Sequence, residues 1–191
     1  MKTIDQVITS QLIVKNSKFI TYLFPLNSSD ISSYLDRLKE EYPKATHYCY
    51  AYIFDDIYRY SDDGEPSNTA GLPLYNVLEK NNLNHILVVV IRYFGGIKLG
   101  AGGLVRAYTK SITSTLENVL FVSLKEGVVI RIHCSYLNVK SLDYLLRNYT
   151  ITSKEFLDEV FYTVEVPKED LSLFHSYTYE VLEEIYIKDS N

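Results

Sequence analysis

The 191-residue chain has no tryptophan, a single methionine and only two cysteines, Cys49 and Cys134, far apart in sequence. A chain of this length buries enough core without a disulfide staple, so both cysteines are expected to be reduced and buried. A reducing compartment follows, and the expected location is cytoplasmic. Long apolar runs are also missing. The longest purely aliphatic stretch, residues 86–91, falls far short of the ~20 residues that a membrane-spanning helix needs. The opening residues MKTIDQVITSQ have no apolar core of signal-peptide length and carry Asp5 early, which argues against export. One further absence is local: residues 80–116 contain no Asp or Glu, while Lys80, Arg92, Lys98, Arg106 and Lys110 all fall there. A basic tract is therefore set into a protein of net charge −5.

That charge is unevenly divided. Residues 1–122 carry 12 Lys+Arg against 12 Asp+Glu, and the remainder carries 7 against 12. The second part is a poor nucleic-acid face, because phosphate contacts need Lys and Arg. Tyrosine is abundant, at 18 residues. Stacking of bases is one use for such rings, but compositional bias with ordinary core and surface tyrosines is the favoured reading.

The apolar patterning predicts strands over residues 7–14 and 19–25 joined at Asn16–Ser17, then a helix from about residue 31 that stops before Pro43. A strand over 47–54, a polar loop over 55–68 and a short helix over 72–80 come next. Residues 85–94 contain ILVVVI, a run suited to a strand covered on both faces, and a helix with Leu104, Tyr108, Ile112, Leu116 and Leu120 on one stripe follows. The pattern restarts around residues 123–127. Strands are expected over 128–134, 150–151, 156–166 and 181–187, with helices over 137–148 and 167–180. That order, β-α-β-β-α-β, is the ferredoxin-like arrangement. The fold class expected is a two-domain α+β protein divided at 1–122 and 127–191.

Seven of the eight glycines lie between Gly64 and Gly103, which core packing does not require. Such clusters mark backbone that needs positive φ or a close approach to something. In YFGGIKLGAGGL the cluster follows a strand and opens a helix, where unpaired N–H groups and the helix dipole attract anions. Arg92, Lys98 and Arg106 would add formal charge around Gly95, Gly96, Gly100, Gly102 and Gly103. The spacing matches neither the P-loop nor the dinucleotide fingerprint, so no nucleotide cofactor, and no cofactor at all, is expected. A tight turn with solvated basic side chains explains the tract equally well.

The second patch is Arg59-Tyr60-Ser61-Asp62-Asp63-Gly64-Glu65-Pro66. Its carboxylates could hold a hard cation or supply an acid and a base. The favoured reading is structural: Asp62, Asp63 or Glu65 pairs with Arg92 or Arg106 and fixes the two loops side by side at one rim of the first domain. Nothing nearby supplies a nucleophile, and Ser61 lies in no catalytic motif. His47 and Cys49 share a strand face but lack a partner pair for zinc; His133 and Cys134 point to opposite faces. No metal is expected.

The blocks KNSKFI, HYCYAY, RYSDDGEPSNTAGLP and VVVIRYFGGIKLGAGGLVRAY, in this order, closely resemble the IMPACT family, most densely over residues 15–108. The resemblance implies a first domain like the second domain of a small-subunit ribosomal protein and domain four of elongation factor G. The second domain would be ferredoxin-like, similar to domain five of that factor. Eukaryotic relatives restrain a stress kinase by competing for its ribosome-associated activator, and they carry an extra N-terminal RWD-type domain. This sequence starts directly at the shared domain, so the kinase-regulating role is not expected to carry over. What does carry over is a shared surface at Arg59, Asp62, Asp63, Gly64, Glu65, Thr69, Gly71, Arg92, Gly95, Gly96, Gly100, Gly102, Gly103 and Arg106, with no catalytic residues. The function expected is a noncatalytic regulator linked to translation that binds RNA or a ribosome-associated protein. The rival is an enzyme acting on a small phosphorylated substrate at the same loops. An adaptor role for the acidic second domain is compatible with the first.

Overall fold

A computed structural model describes residues 1–117 and 119–189, in two compact units, Met1–Ser123 and Leu124–Asn191. In chain order the first unit contains β1 (Lys2–Thr3), β2 (Ile8–Val14), β3 (Ser17–Pro25), α1 (Ser32–Glu41), β4 (His47–Phe54), β5 (Ile57–Ser61), α2 (Gly71–Lys80), β6 (Ile86–Tyr93) and α3 (Ala101–Leu116). Strands β2 to β6 form one antiparallel sheet in the order β2-β3-β6-β4-β5.

Each element follows from local chemistry. The β2–β3 hairpin turns on Lys15 and Asn16, both at positive φ, the conformation that a two-residue loop needs to match strand twist. Helix α1 starts after Asp30, whose carboxylate accepts from the Ser32 N–H, and it ends ahead of Pro43. Strand β6 is central, and Ile86 through Ile91 are fully buried. Its alternate residues join two cores. Val88 and Val90 pack with Phe19, Leu23, Leu74, Leu78, Leu104 and Ile112 under α2 and α3. Leu87, Val89 and Ile91 pack with Tyr22, Phe24 and Leu38 under α1. The apolar run thus reports double coverage, here in a strand antiparallel to both its neighbours.

The expected loop over 55–68 is shorter. Asp55 at φ 52 turns a second hairpin, and Ile57–Ser61 pairs with β4 as an edge strand. The acids of Asp55 and Asp56 disguise a turn flanked by Ile57, Tyr58 and Tyr60, residue types that suit a pleated surface.

In the second unit β7 (Val122–Cys134) is followed by a 3₁₀ turn (Tyr136–Asn138), α4 (Val139–Leu146), β8 (Thr150–Phe156), β9 (Val160–Pro167), a 3₁₀ segment (Lys168–Phe174) and β10 (Thr178–Lys188). The first residues of β7, Val122 and Ser123, pair with β1 within the first unit. The strands run antiparallel in the order β10-β7-β9-β8, and one face buries Ile130, Ile132, Tyr162, Val164, Leu142, Leu146 and Phe174. Two expectations change. The strand over 156–166 is divided, with β8 ending at Phe156 and β9 starting at Val160. The helix over 167–180 is a single 3₁₀ segment that buries only Phe174, too little apolar contact to sustain a helical stripe, and the chain is extended again from Thr178.

Candidate functional site

Strands β4 and β6 run antiparallel, so His47 at the start of β4 lies opposite Arg92 near the end of β6. The acidic loop after β5 and the glycine loop after β6 meet the sheet at this rim. The Asp63 carbonyl lies 2.8 Å from Nδ1 of His47, and its carboxylate accepts from the Tyr48 N–H. On the glycine-loop side, the Phe94 N–H donates to Oγ1 of Thr46 and the Gly95 N–H to Oγ of Ser17.

Glu65 joins the two loops. It is only 8% exposed, and Oε1 accepts from Nη1 of Arg92 at 2.5 Å and from the Tyr108 hydroxyl at 2.8 Å. Its Oε2 lies 3.8 Å from Nε2 of His47. Arg92 is 4% exposed, donates also to Ser17, and rests over the rings of Phe19 and Phe94. Cys49 continues the network, donating to the Tyr108 hydroxyl and the Asp62 carbonyl. Burial pushes the Cys49 thiol and the Tyr108 hydroxyl well above their ordinary values, so both stay protonated. The pairing expected from sequence between the acidic and basic loops is thus Glu65 with Arg92. A buried pair with both partners hydrogen-bonded fixes loop geometry, and removing one partner leaves an uncompensated charge.

Asp62 has a different task. Oδ1 accepts from the N–H groups of Ala70 and Gly71 and Oδ2 from that of Asn68, so its carboxylate occupies the N-terminus of α2. Thr69 closes the same turn by donating to the Pro66 carbonyl. Gly71 permits a close approach, since a Cβ there would stand 2.7 Å from Ser61 backbone. Gly95 is tighter still, lying against the backbone of Asn16 and Ser17.

The N-terminus of α3 contrasts with that of α2. Gly100, its N-cap, has φ 71 and ψ 166, a region essentially confined to glycine, and supplies no side-chain cap. Gly102 and Gly103 belong to the first turn of α3 rather than to the loop. A Cβ at Gly96 or Gly100 would meet nothing within 4 Å, so both face open space. Lys98 and Arg106 are exposed beside this helix entry, and among the described residues neither makes an ion pair. Arg92 does not add free charge here, contrary to the reading from sequence, because Glu65 neutralises it inside the protein. Arg59 is also set apart. It sits on β5 across from Tyr52, whose ring belongs to the core under α1, so it projects from the other side of the sheet.

The sequence gave no functional weight to His47 and Tyr108, which the fold places against Glu65. The four-residue stripe did mark Tyr108 as inward-facing, but its hydroxyl partner lies 43 positions away. His85, read as unremarkable, lies 2.7 Å from Asp55 at the β4–β5 turn. Among the described residues no group of three or more His, Cys, Asp or Glu is placed to hold a metal ion, and no helix is long and apolar enough to cross a membrane.

Fold and rim together define a two-unit α+β protein with a locked acidic turn beside a glycine-rich helix entry. The Impact N-terminal domain model matches residues 15–116, and the chain belongs to the IMPACT family. It is 32% identical over 185 residues to the IMPACT family member YvyE of Bacillus subtilis, covering 94% of this chain and 85% of that protein. It is 33% identical over 139 residues to YigZ of Escherichia coli, covering 70% and 68% respectively. A solved structure described as the crystal structure of a hypothetical protein is similar with a TM-score of 0.74 at 28% identity, over 95% of each chain.

Proposed function

We propose that the chain is a noncatalytic regulator linked to translation, and that its first unit binds RNA or a ribosome-associated partner over the face formed by the glycine loop and the start of α3. The observation that carries this reading is the division of labour at the rim. Every carboxylate of the acidic loop is committed to holding the fold, whereas Lys98, Arg106 and the uncapped N-terminus of α3 face solvent. An open cationic surface around unpaired N–H groups suits phosphate oxygens. The same commitment weighs against the enzyme reading, which needs a carboxylate free to act as a base or to ligate a cation.

The antiparallel order β10-β7-β9-β8 with α4 on one face supports a ferredoxin-like reading of the second unit, its second helix reduced to a 3₁₀ segment. Two buried, unpaired cysteines support a cytoplasmic location. The test is titration of the chain against purified ribosomes and structured RNA at several salt concentrations, beside a panel of small phosphorylated compounds. Binding that weakens as salt rises is the expected result. Turnover of a phosphorylated compound without ribosome or RNA binding would transfer the site to the enzyme reading.

A further inference from the structure

We infer that the groove between α2 and α3 docks an acidic amphipathic segment of a partner protein, a role separate from phosphate binding at the glycine loop. The groove encloses about 360 Å³ on the outer side of the helical layer. Its floor is apolar, made by Leu72, Pro73 and Val77 of α2 and by Val105 of α3, and Asn76 and Thr109 stand on its walls. Val105 is 36% exposed although it lies on a helix whose other apolar residues, Leu104 and Ile112 among them, are buried against the sheet. A second apolar stripe therefore faces away from the core. Residues 105, 109 and 113 recur every fourth position, and the walled length from Val105 to Thr113 is about 12 Å at the helical rise. That accommodates successive anchors of a helix laid in the groove, spaced by one turn.

Charge selects the occupant. Lys80 lines one end of the groove, and Lys110 stands one position past Thr109. No carboxylate lines it, and residues 80–116 contain none. The nearest acid on α2, Glu79, is turned to the other side of the helix, where it accepts from the Tyr75 hydroxyl. An apolar floor with a basic rim matches a segment that presents leucine-like anchors and Asp or Glu between them. Single-stranded nucleic acid fits less well, because the lining offers no aromatic ring on which a base would stack.

The test is selection of random phage-displayed peptides, long enough for four helical turns, on the full chain. The counter-target is the Val105→Glu chain, whose substitution at an exposed helical position puts a carboxylate in the floor. Enriched peptides are expected to carry apolar residues at helical spacing with interspersed acids. They should lose about tenfold or more in affinity against Val105→Glu, and against Lys80→Glu with Lys110→Glu, while thermal melts of both variants stay cooperative. No enrichment over the counter-target would overturn the proposal. So would enriched peptides without acidic bias, affinity indifferent to all three substitutions, or displacement of the peptides by single-stranded RNA. Lys98 and Arg106 are untouched in these variants, so failure of RNA or ribosome binding elsewhere on the unit leaves this result readable.

Discussion

At the scale of single residues, Glu65 shows how one carboxylate can be structural although its neighbours in sequence look catalytic. Two strong donors meet Oε1 in a site closed to water. Removing either partner strands the other charge, so Glu65→Ala and Arg92→Ala should each cost ~3–5 kcal/mol in chemical denaturation. The loss comes as instability and not as altered salt dependence of binding. Asp62→Ala should cost less, ~0.5–2 kcal/mol, the range for loss of a helix cap. Cys49 provides a pH test. Its native value is raised by burial, so its contribution is present below the ordinary thiol range and fades as pH rises through and above it, where only the unfolded chain ionises. The stability of the native protein relative to Cys49→Ala should therefore shrink between about pH 8 and about pH 10, as measured by urea unfolding at each pH. A constant difference would mean that the thiol is not held protonated.

At the scale of elements, the two helix entries of the rim solve one electrostatic problem in opposite ways. The N–H groups that open α2 are met by Asp62 from within the chain, while those that open α3 follow an uncapped glycine beside exposed cations. Gly100→Ala should destabilise the unit by ~1–3 kcal/mol through backbone strain alone, since its Cβ has space but not its φ and ψ; differential scanning calorimetry reads the shift. Much of this scale could be read from sequence, because periodicity reports burial. The stripe through Leu104, Tyr108 and Ile112 fixes the inward face of α3, and ILVVVI marks a doubly covered strand. Strand β5 was hidden because acidic residues dominate its turn, and the last helix was overdrawn because Leu171, Phe174 and Tyr177 imitate a stripe of which only Phe174 is buried. The partner of each acid could not be read either. Choosing Glu65 over Asp62 and Asp63 for Arg92 depends on how the loop doubles back to α2, and no spacing rule encodes that.

At the scale of the whole molecule, charge is sorted by unit. The first is neutral overall with a cationic helix entry, and the acid excess lies in the second. Binding of polyanions is therefore assigned to the first unit, and the family resemblance seen in the sequence blocks falls on the same residues that build its rim. The free cations differ from the set that sequence suggests: Lys98 and Arg106 remain, and Arg92 is withdrawn into the fold. The most direct measurement is the slope of log affinity against log salt for ribosome or structured-RNA binding, compared between the native chain and the Lys98→Ala/Arg106→Ala double variant. Each lost phosphate contact should reduce the slope by about 1, so the variant should be shallower by about 2 while keeping its native melting transition. An unchanged slope, or no binding even at low salt, would contradict the account.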